Sequence, residues 1–138
     1  MHKHVYCDTN VVLDLLDERR KWHDETLLFL QTLVLQDRVP TISEDMLSTI
    51  FYIAPDKHKA LLFFQQIRQD WHIVPFGGSL IDEAIERALE AGADLEDVLQ
   101  CLAAREAGCQ FIVTNDATFY RCGIETCSPK EYVEHHHD

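Results

Sequence analysis

Apolar and polar positions follow two periods along this chain, and the places where one gives way to the other mark out its elements. Val5-Tyr6-Cys7 is a short apolar run that stops at Asp8. A run of that length, bounded by a polar residue, reads as a buried strand over Val5–Cys7. Val11-Val12-Leu13 and Leu15-Leu16 then predict a helix over Val11–Asp17. From Trp22 to Leu35 the residues Trp22, Thr26, Phe29, Leu30, Leu33 and Val34 recur at helical spacing and predict one buried face. Val39–Ile42 reads as a second strand, with Pro40 favouring its start or a sheet edge. Ser43 is the expected cap of a helix carrying Met46, Leu47, Ile50 and Phe51, which Pro55-Asp56 breaks. The next helix buries Ala60, Phe63, Phe64 and Ile67.

Ile73-Val74-Pro75 is a third strand and Gly77-Gly78 a loop. Ile81, Ala84, Ile85 and Ala88 mark a helix that Gly92 ends. Asp94 opens a further helix, which reaches Glu106 and stops at Gly108. Phe111–Val113 is a fourth strand, running into Thr114-Asn115-Asp116. Glu125–Cys127 is a fifth, followed by a short helix after Ser128-Pro129. Strands alternating with helices imply an α/β fold: a central parallel sheet covered on both faces. No repeat, linker or low-complexity stretch interrupts the pattern, so residues 1–134 read as one domain. Residues 135–138 read as a tail that resembles a tag remnant in part.

Composition sharpens this picture in two ways. Nearly half of the residues are apolar (46%), and no apolar run is long enough to span a bilayer. With no signal-peptide core at the N-terminus, a cytoplasmic location is expected. The five cysteines, Cys7, Cys101, Cys109, Cys122 and Cys127, are odd in number and form no CxxC pair. That argues for reduced, mostly buried thiols rather than a disulfide framework or a zinc knuckle. The net charge of −12 means that most of the surface repels nucleic acid. Divalent cations and basic proteins remain compatible partners.

The candidate chemistry lies in the acids that end strands or begin helices. Asp8 stands where the first strand stops, and in α/β sheets ligands collect outside the carboxyl ends of the strands. Asp8 and Asn10 equally suit a helix cap or an Asx turn, so the pattern alone leaves both roles open. Asp94 and Asp97, three apart, share one side of a first helical turn. Asp94 reads as the cap and Asp97 as the group that points to the strand ends. Asp116 follows the fourth strand as Asp8 follows the first. Asp94 and Glu44 are secondary candidates. Carboxylates gathered in one place need neutralising. Mg²⁺ or Mn²⁺, hard cations that take oxygen ligands, would do this and would make a water nucleophilic beside a phosphodiester. No His or Cys stands at zinc-ligand spacing near these acids. Asn10, Thr114 and Asn115 border the acids and are candidates for positioning substrate. Arg19, Arg20 and Lys21, with Lys57 and Lys59, are the grouped cations that an RNA would need.

At Asp8-Thr9-Asn10-Val11-Val12-Leu13-Asp14-Leu15-Leu16 the chain resembles the PIN-domain family, in particular VapC-type toxin ribonucleases. The likeness continues through Asp94-Leu95-Glu96-Asp97-Val98-Leu99-Gln100 and from Ala103 to Asp116, in the family's order and spacing. The resemblance implies cleavage of single-stranded RNA at a Mg²⁺/Mn²⁺ site held by Asp8, Asp97 and Asp116. It also implies a homodimer joined through apolar side chains on the early helices. An antitoxin partner would place an Arg or Lys among the three acids. One departure is visible: the family's usual acid on the helix after the second strand falls at Thr49, with Glu44 and Asp45 about a turn earlier. A PIN-like fold serving as an inactive nucleic-acid-binding or protein-interaction module is therefore the alternative. A receiver domain would need paired acids after the first strand. A haloacid-dehalogenase-type phosphatase would need an Asp where Asn10 stands.

Overall fold

The computed structural model describes residues 3–136. Five strands, β1 (His4–Cys7), β2 (Val39–Ser43), β3 (His72–Val74), β4 (Phe111–Val113) and β5 (Glu125–Cys127), form one sheet in the order β3-β2-β1-β4-β5. Every pairing is parallel, with Val5 opposite both Pro40 and Phe111. β1 and β4 are the most apolar strands and lie in the middle, where both faces are covered. β3 and β5, more polar, take the edges.

Seven helices connect and cover the strands: α1 (Thr9–Leu16), α2 (His23–Leu35), α3 (Met46–Ile53), α4 (Lys57–Asp70), α5 (Gly78–Ala91), α6 (Leu95–Glu106) and α7 (Pro129–His135). Side chains alternate across a strand, so Val5 and Cys7 point to one face and Tyr6 to the other. On the first face, Cys7 meets Val11, Val12 and Phe29 of α1 and α2. There Tyr132 of α7 lies edge-on to Phe29 and Phe111. On the other face α6 buries Val98, Cys101, Leu102, Ala103 and Ala104, and α5 packs against it. Gly92, in the left-handed region (φ 61°), closes α5 as the sequence predicts. Ser128 and Glu131 form a reciprocal capping box at the start of α7, with Pro129 in its first turn. Among the described residues, no helix is long and apolar enough to cross a membrane.

Several local expectations are corrected. Of the two places expected for Pro40 the structure gives the strand's start, since β2 is an inner strand and Pro40 is its second residue. Pro40 is tolerated because β3 pairs with β2 only from Thr41 onward, so no donor is needed there on that side. Ser43 ends β2, buried, and does not cap α3, whose N-cap position is Asp45 with no side-chain bond. Val34, Phe51, Ile81 and Ile85 are exposed, whereas Leu33, Ile50, Leu80 and Ala84 fill the core. In each pair one helical step, about 100°, separates the inward side chain from the outward one. Not all thiols are free: Cys101 on α6 and Cys122 on the β4–β5 connection form a disulfide, their Cα atoms 6.2 Å apart. Cys7, Cys109 and Cys127 are free. Spacing along the chain cannot reveal a pair that only the return of the chain past α6 brings together. At the C-terminus α7 includes His135, and His136 packs against Phe111. His137 and Asp138 of the expected tail lie outside the described residues.

Candidate active site

The chain builds the sheet outward from β1 in one direction through β2 and β3, then returns to β1's other side with β4 and β5. The strand order therefore reverses between β1 and β4, which is where such sheets bind ligands. Asp8 leaves the end of β1 and Asp116 follows β4, so both border this crevice. Asp97, in the first turn of α6, acts electrostatically on the same ground: Asp8 and Asp116 both raise its pKa.

Asp8 is buried, 5% exposed, and held from three sides. Its Oδ1 accepts from the Thr9 amide at 2.7 Å and from Gln100 Nε2 at 3.1 Å. Its Oδ2 accepts from the Thr114 hydroxyl at 2.7 Å. The first of these bonds also makes Asp8 the N-cap of α1, so capping and site placement are one arrangement here. Burial pushes the Asp8 carboxyl above its ordinary range, and the three donors oppose that shift. Asp97 is different. It is half-buried, and its carboxylate has no hydrogen-bond donor among the described residues. Desolvation first, then the charges of Asp94, Asp8, Asp116 and Glu96, raise its pKa to about 6. Asp94 is the N-cap of α6 and accepts from the Asp97 amide at 3.1 Å. Asp116 is exposed, and its Oδ1 accepts from the Thr118 amide and hydroxyl at 2.9 and 2.7 Å.

Among the described residues, no three acidic, His or Cys side chains converge closely enough to enclose a metal ion as they stand. The donor set nevertheless suits a hard divalent cation in its chemistry: carboxylate oxygens without thiolate or imidazole. Gln100 Oε1, buried beside Asp8, is an oxygen acceptor with no partner among the described residues.

The remaining candidates are placed as follows. Thr114 is buried and links the two strand ends, donating to Asp8 while its Oγ1 accepts from the Asp116 amide at 3.0 Å. Asn115 turns its amide toward Asp14 Oδ2 at 3.4 Å. Both, expected to face substrate, are engaged within the protein because they tie the loop after β4 to α1. Asn10 is exposed. Glu44 is exposed and makes no side-chain hydrogen bond to the site acids; the neighbouring Asp45 is the one whose charge acts on Glu96. Thr49 lies half-buried on α3.

The grouped cations are largely committed elsewhere. Arg19 pairs with Asp17 at 3.1 Å, and Arg20 pairs with the buried Asp14 at 2.7 Å. Lys21 sits over the Trp22 ring, and Lys57 Nζ donates to the carbonyls of Phe51, Tyr52 and Ala54. Lys59 lines a cavity with Arg19 near the end of α1. None of the five bonds to Asp8, Asp97 or Asp116.

Sequence reasoning missed three groups. Gln100 anchors Asp8, Asp14 anchors Arg20 and Asn115, and Glu96 Oε1 lies 3.5 Å from the Thr9 hydroxyl. A signal for Gln100 existed: it is the polar residue in an otherwise apolar helical stripe, one turn after Asp97.

Comparison with known proteins gives the family and agrees with the fold. A family model described as "PIN domain" matches residues 4–118. The chain is 34% identical to the ribonuclease VapC1 of Aquifex aeolicus, over 94% of this chain and 93% of that protein. In fold it is similar to Mycobacterium tuberculosis VapC20, described as a sarcin-ricin loop cleaving toxin, with a TM-score of 0.66, 17% identity, and coverage of 83% and 92% of the two chains. It is also similar to a chain of VapBC2 from Rickettsia felis bound to a promoter DNA fragment (TM-score 0.67, 16% identity, coverage 91% and 97%). A toxin–antitoxin complex from Klebsiella pneumoniae gives a TM-score of 0.67 at 17% identity, with the same coverage.

Proposed function

The chain belongs to the PIN-domain family, and from that membership we propose that it is an endoribonuclease, the toxin of a toxin–antitoxin pair, that hydrolyses phosphodiester bonds of single-stranded RNA. The observation that carries the reading is the setting of Asp8, Asp97 and Asp116 around the crevice where the strand order reverses. The relative named as a ribonuclease supports the activity. Solved neighbours that are toxin–antitoxin complexes support the pairing.

Asp8, Asp97 and Asp116 are the residues that would hold Mg²⁺ or Mn²⁺, with Asp94 committed to capping. When bound, such an ion lowers the pKa of a water and polarises a phosphodiester oxygen. The protein's own part is positioning. Thr114 and Gln100 fix both oxygens of Asp8, and Thr114 carries that constraint to the backbone of Asp116. The half-buried setting of Asp97 keeps an unbonded carboxylate at the rim, ready for a cation or for the basic side chain of an antitoxin. Leu28, Val34 and Leu35 on α2 and Tyr52 and Ile53 on α3 are exposed and apolar. They are the surface we assign to self-association as a homodimer.

The test is incubation of a mixed RNA pool with the full chain in Mn²⁺, in EDTA, and in EDTA followed by excess Mn²⁺. Cleavage that is lost in EDTA and restored by Mn²⁺ is expected. Cleavage indifferent to EDTA would remove the metal, and intact RNA under all three conditions would favour an inactive interaction module.

A further inference from the structure

Arg19, Arg20, Lys21 and Lys57 are engaged elsewhere and Lys59 lines a separate cavity near the end of α1, so a polyanionic substrate needs a cation beside Asp116. Beside Asp116 the structure has a cavity of about 260 Å³, lined in part by Thr114, Asn115, Asp116, Arg121, Ser128 and Glu131. Arg121 is the one cationic side chain among its lining residues. It is exposed and forms no ion pair or side-chain hydrogen bond among the described residues.

Neither acid of this cavity forms an ion pair with Arg121. Asp116 Oδ1 accepts from Thr118, and Glu131 Oε1 accepts from the Ser128 amide at 2.8 Å. Exposed and unpaired among the described residues, the guanidinium has its donors open toward an anion. Its backbone is fixed on both sides, by the buried Phe119 ring and by Cys122, which is bonded to α6. An Arg fork suits a phosphate's paired oxygens.

We propose that Arg121 and the groove beside Asp116 form a subsite for a non-scissile backbone phosphate of single-stranded RNA, adjoining the bond that is cut. This rests on the ribonuclease reading above. The subsite adds a cation beside Asp116 to the basic groups expected after α1 and Pro55. It makes the β4–β5 side of the crevice the path of the strand.

The experiment is steady-state cleavage of a labelled single-stranded oligoribonucleotide in Mn²⁺ across a KCl series, using wild type, Arg121→Gln, Arg121→Lys and Arg68→Gln. Arg68 is exposed on α4 and serves as a charge-matched control. Melting temperatures of all four proteins establish that each is folded. Arg121→Gln should raise KM about five- to tenfold, the worth of one solvent-exposed hydrogen bond, with kcat within about twofold. Its slope of log KM against log salt should be shallower by about 0.7, one phosphate contact on a single strand. Arg121→Lys should retain most of the affinity, and Arg68→Gln should match wild type. If wild type cleaves while Arg121→Gln keeps its KM and slope, the subsite is wrong and the ribonuclease reading stands. A wild type that cleaves no RNA overturns both.

Discussion

The floor and the rim of the crevice use the same chemical group in opposite ways. On the floor, Asp8 is buried and both its oxygens are bonded to donors on three different elements. On the rim, Asp97 is half-exposed, has no donor on its carboxylate among the described residues, and is pushed up to about 6 by desolvation and by neighbouring acids. Asp8 is thus held in place by the fold. Asp97 is held only by its helix and is left to be satisfied by something the protein does not supply. A site with one fixed and one unsatisfied carboxylate suits a guest that must arrive and leave.

The comparison breaks first at Asp8. Asp8→Asn keeps the shape, and the Thr114 hydroxyl can rotate to meet the new amide. The ligand charge is lost, and RNA cleavage should fall by about a thousandfold, the several kcal/mol that charge placement at such a site supplies. Gel-based cleavage assays with a melting curve check this, and wild-type cleavage by the variant would remove Asp8 from the site.

The helix that carries the rim, α6, is tied to the segment after Asp116 by the Cys101–Cys122 disulfide. Reduction with dithiothreitol should cost about 3 kcal/mol for a loop of this size. Urea unfolding with and without reductant, alongside Cys122→Ser, measures it. Identical midpoints would show that the two sulfurs are not bonded in solution.

Thr114→Val tests the donors on the floor. It removes the hydroxyl bonded to the Asp8 carboxylate and should destabilise by about 2 kcal/mol, read from the same urea curves. A variant as stable as wild type would mean that this bond does not hold the floor.

The smallest effect belongs to the rim. The unfolded chain releases the Asp97 proton near 3.8 and the folded chain near 6. The folded state thus binds a proton that the unfolded state gives up. The resulting stability is complete below about pH 4 and is lost as pH rises through 6. Glu83, held down to about 2 mainly by Arg105, acts in the opposite sense where the glutamate of the unfolded chain titrates, near 4.5, and adds little between pH 5 and 7. In EDTA, wild type should melt lower at pH 7 than at pH 5, and Asp97→Asn should flatten that trend. Parallel profiles for the two proteins would show that Asp97 is not crowded by its neighbours.

The fold was largely legible because β1 and β4 are short apolar runs closed by a polar residue and helices such as α5 and α6 carry their own stops, Gly92 and Gly108. Asp8 and Asp116 could be read because they end strands, and position along a strand is a one-dimensional property. Gln100, Asp14 and the Cys101–Cys122 bond could not. Each joins elements that meet only after the sheet has assembled: α6 with β1, α1 with the loop after β4, and α6 with the β4–β5 connection. The partners of the basic groups were hidden for a related reason. Clustering along the chain says nothing about whether Asp17 or Asp14 has already claimed the charge, while the solitary Arg121 remains open.

The central claim is that the three acids form one cation site with Asp97 as its unsatisfied member. A thermal shift on adding Mn²⁺ tests it most directly, since a ligand that binds only the folded state stabilises it by mass action. Millimolar Mn²⁺ should raise the melting temperature of wild type at pH 7 and raise that of Asp97→Asn markedly less. An equal rise in both proteins would place the ion elsewhere and contradict the account.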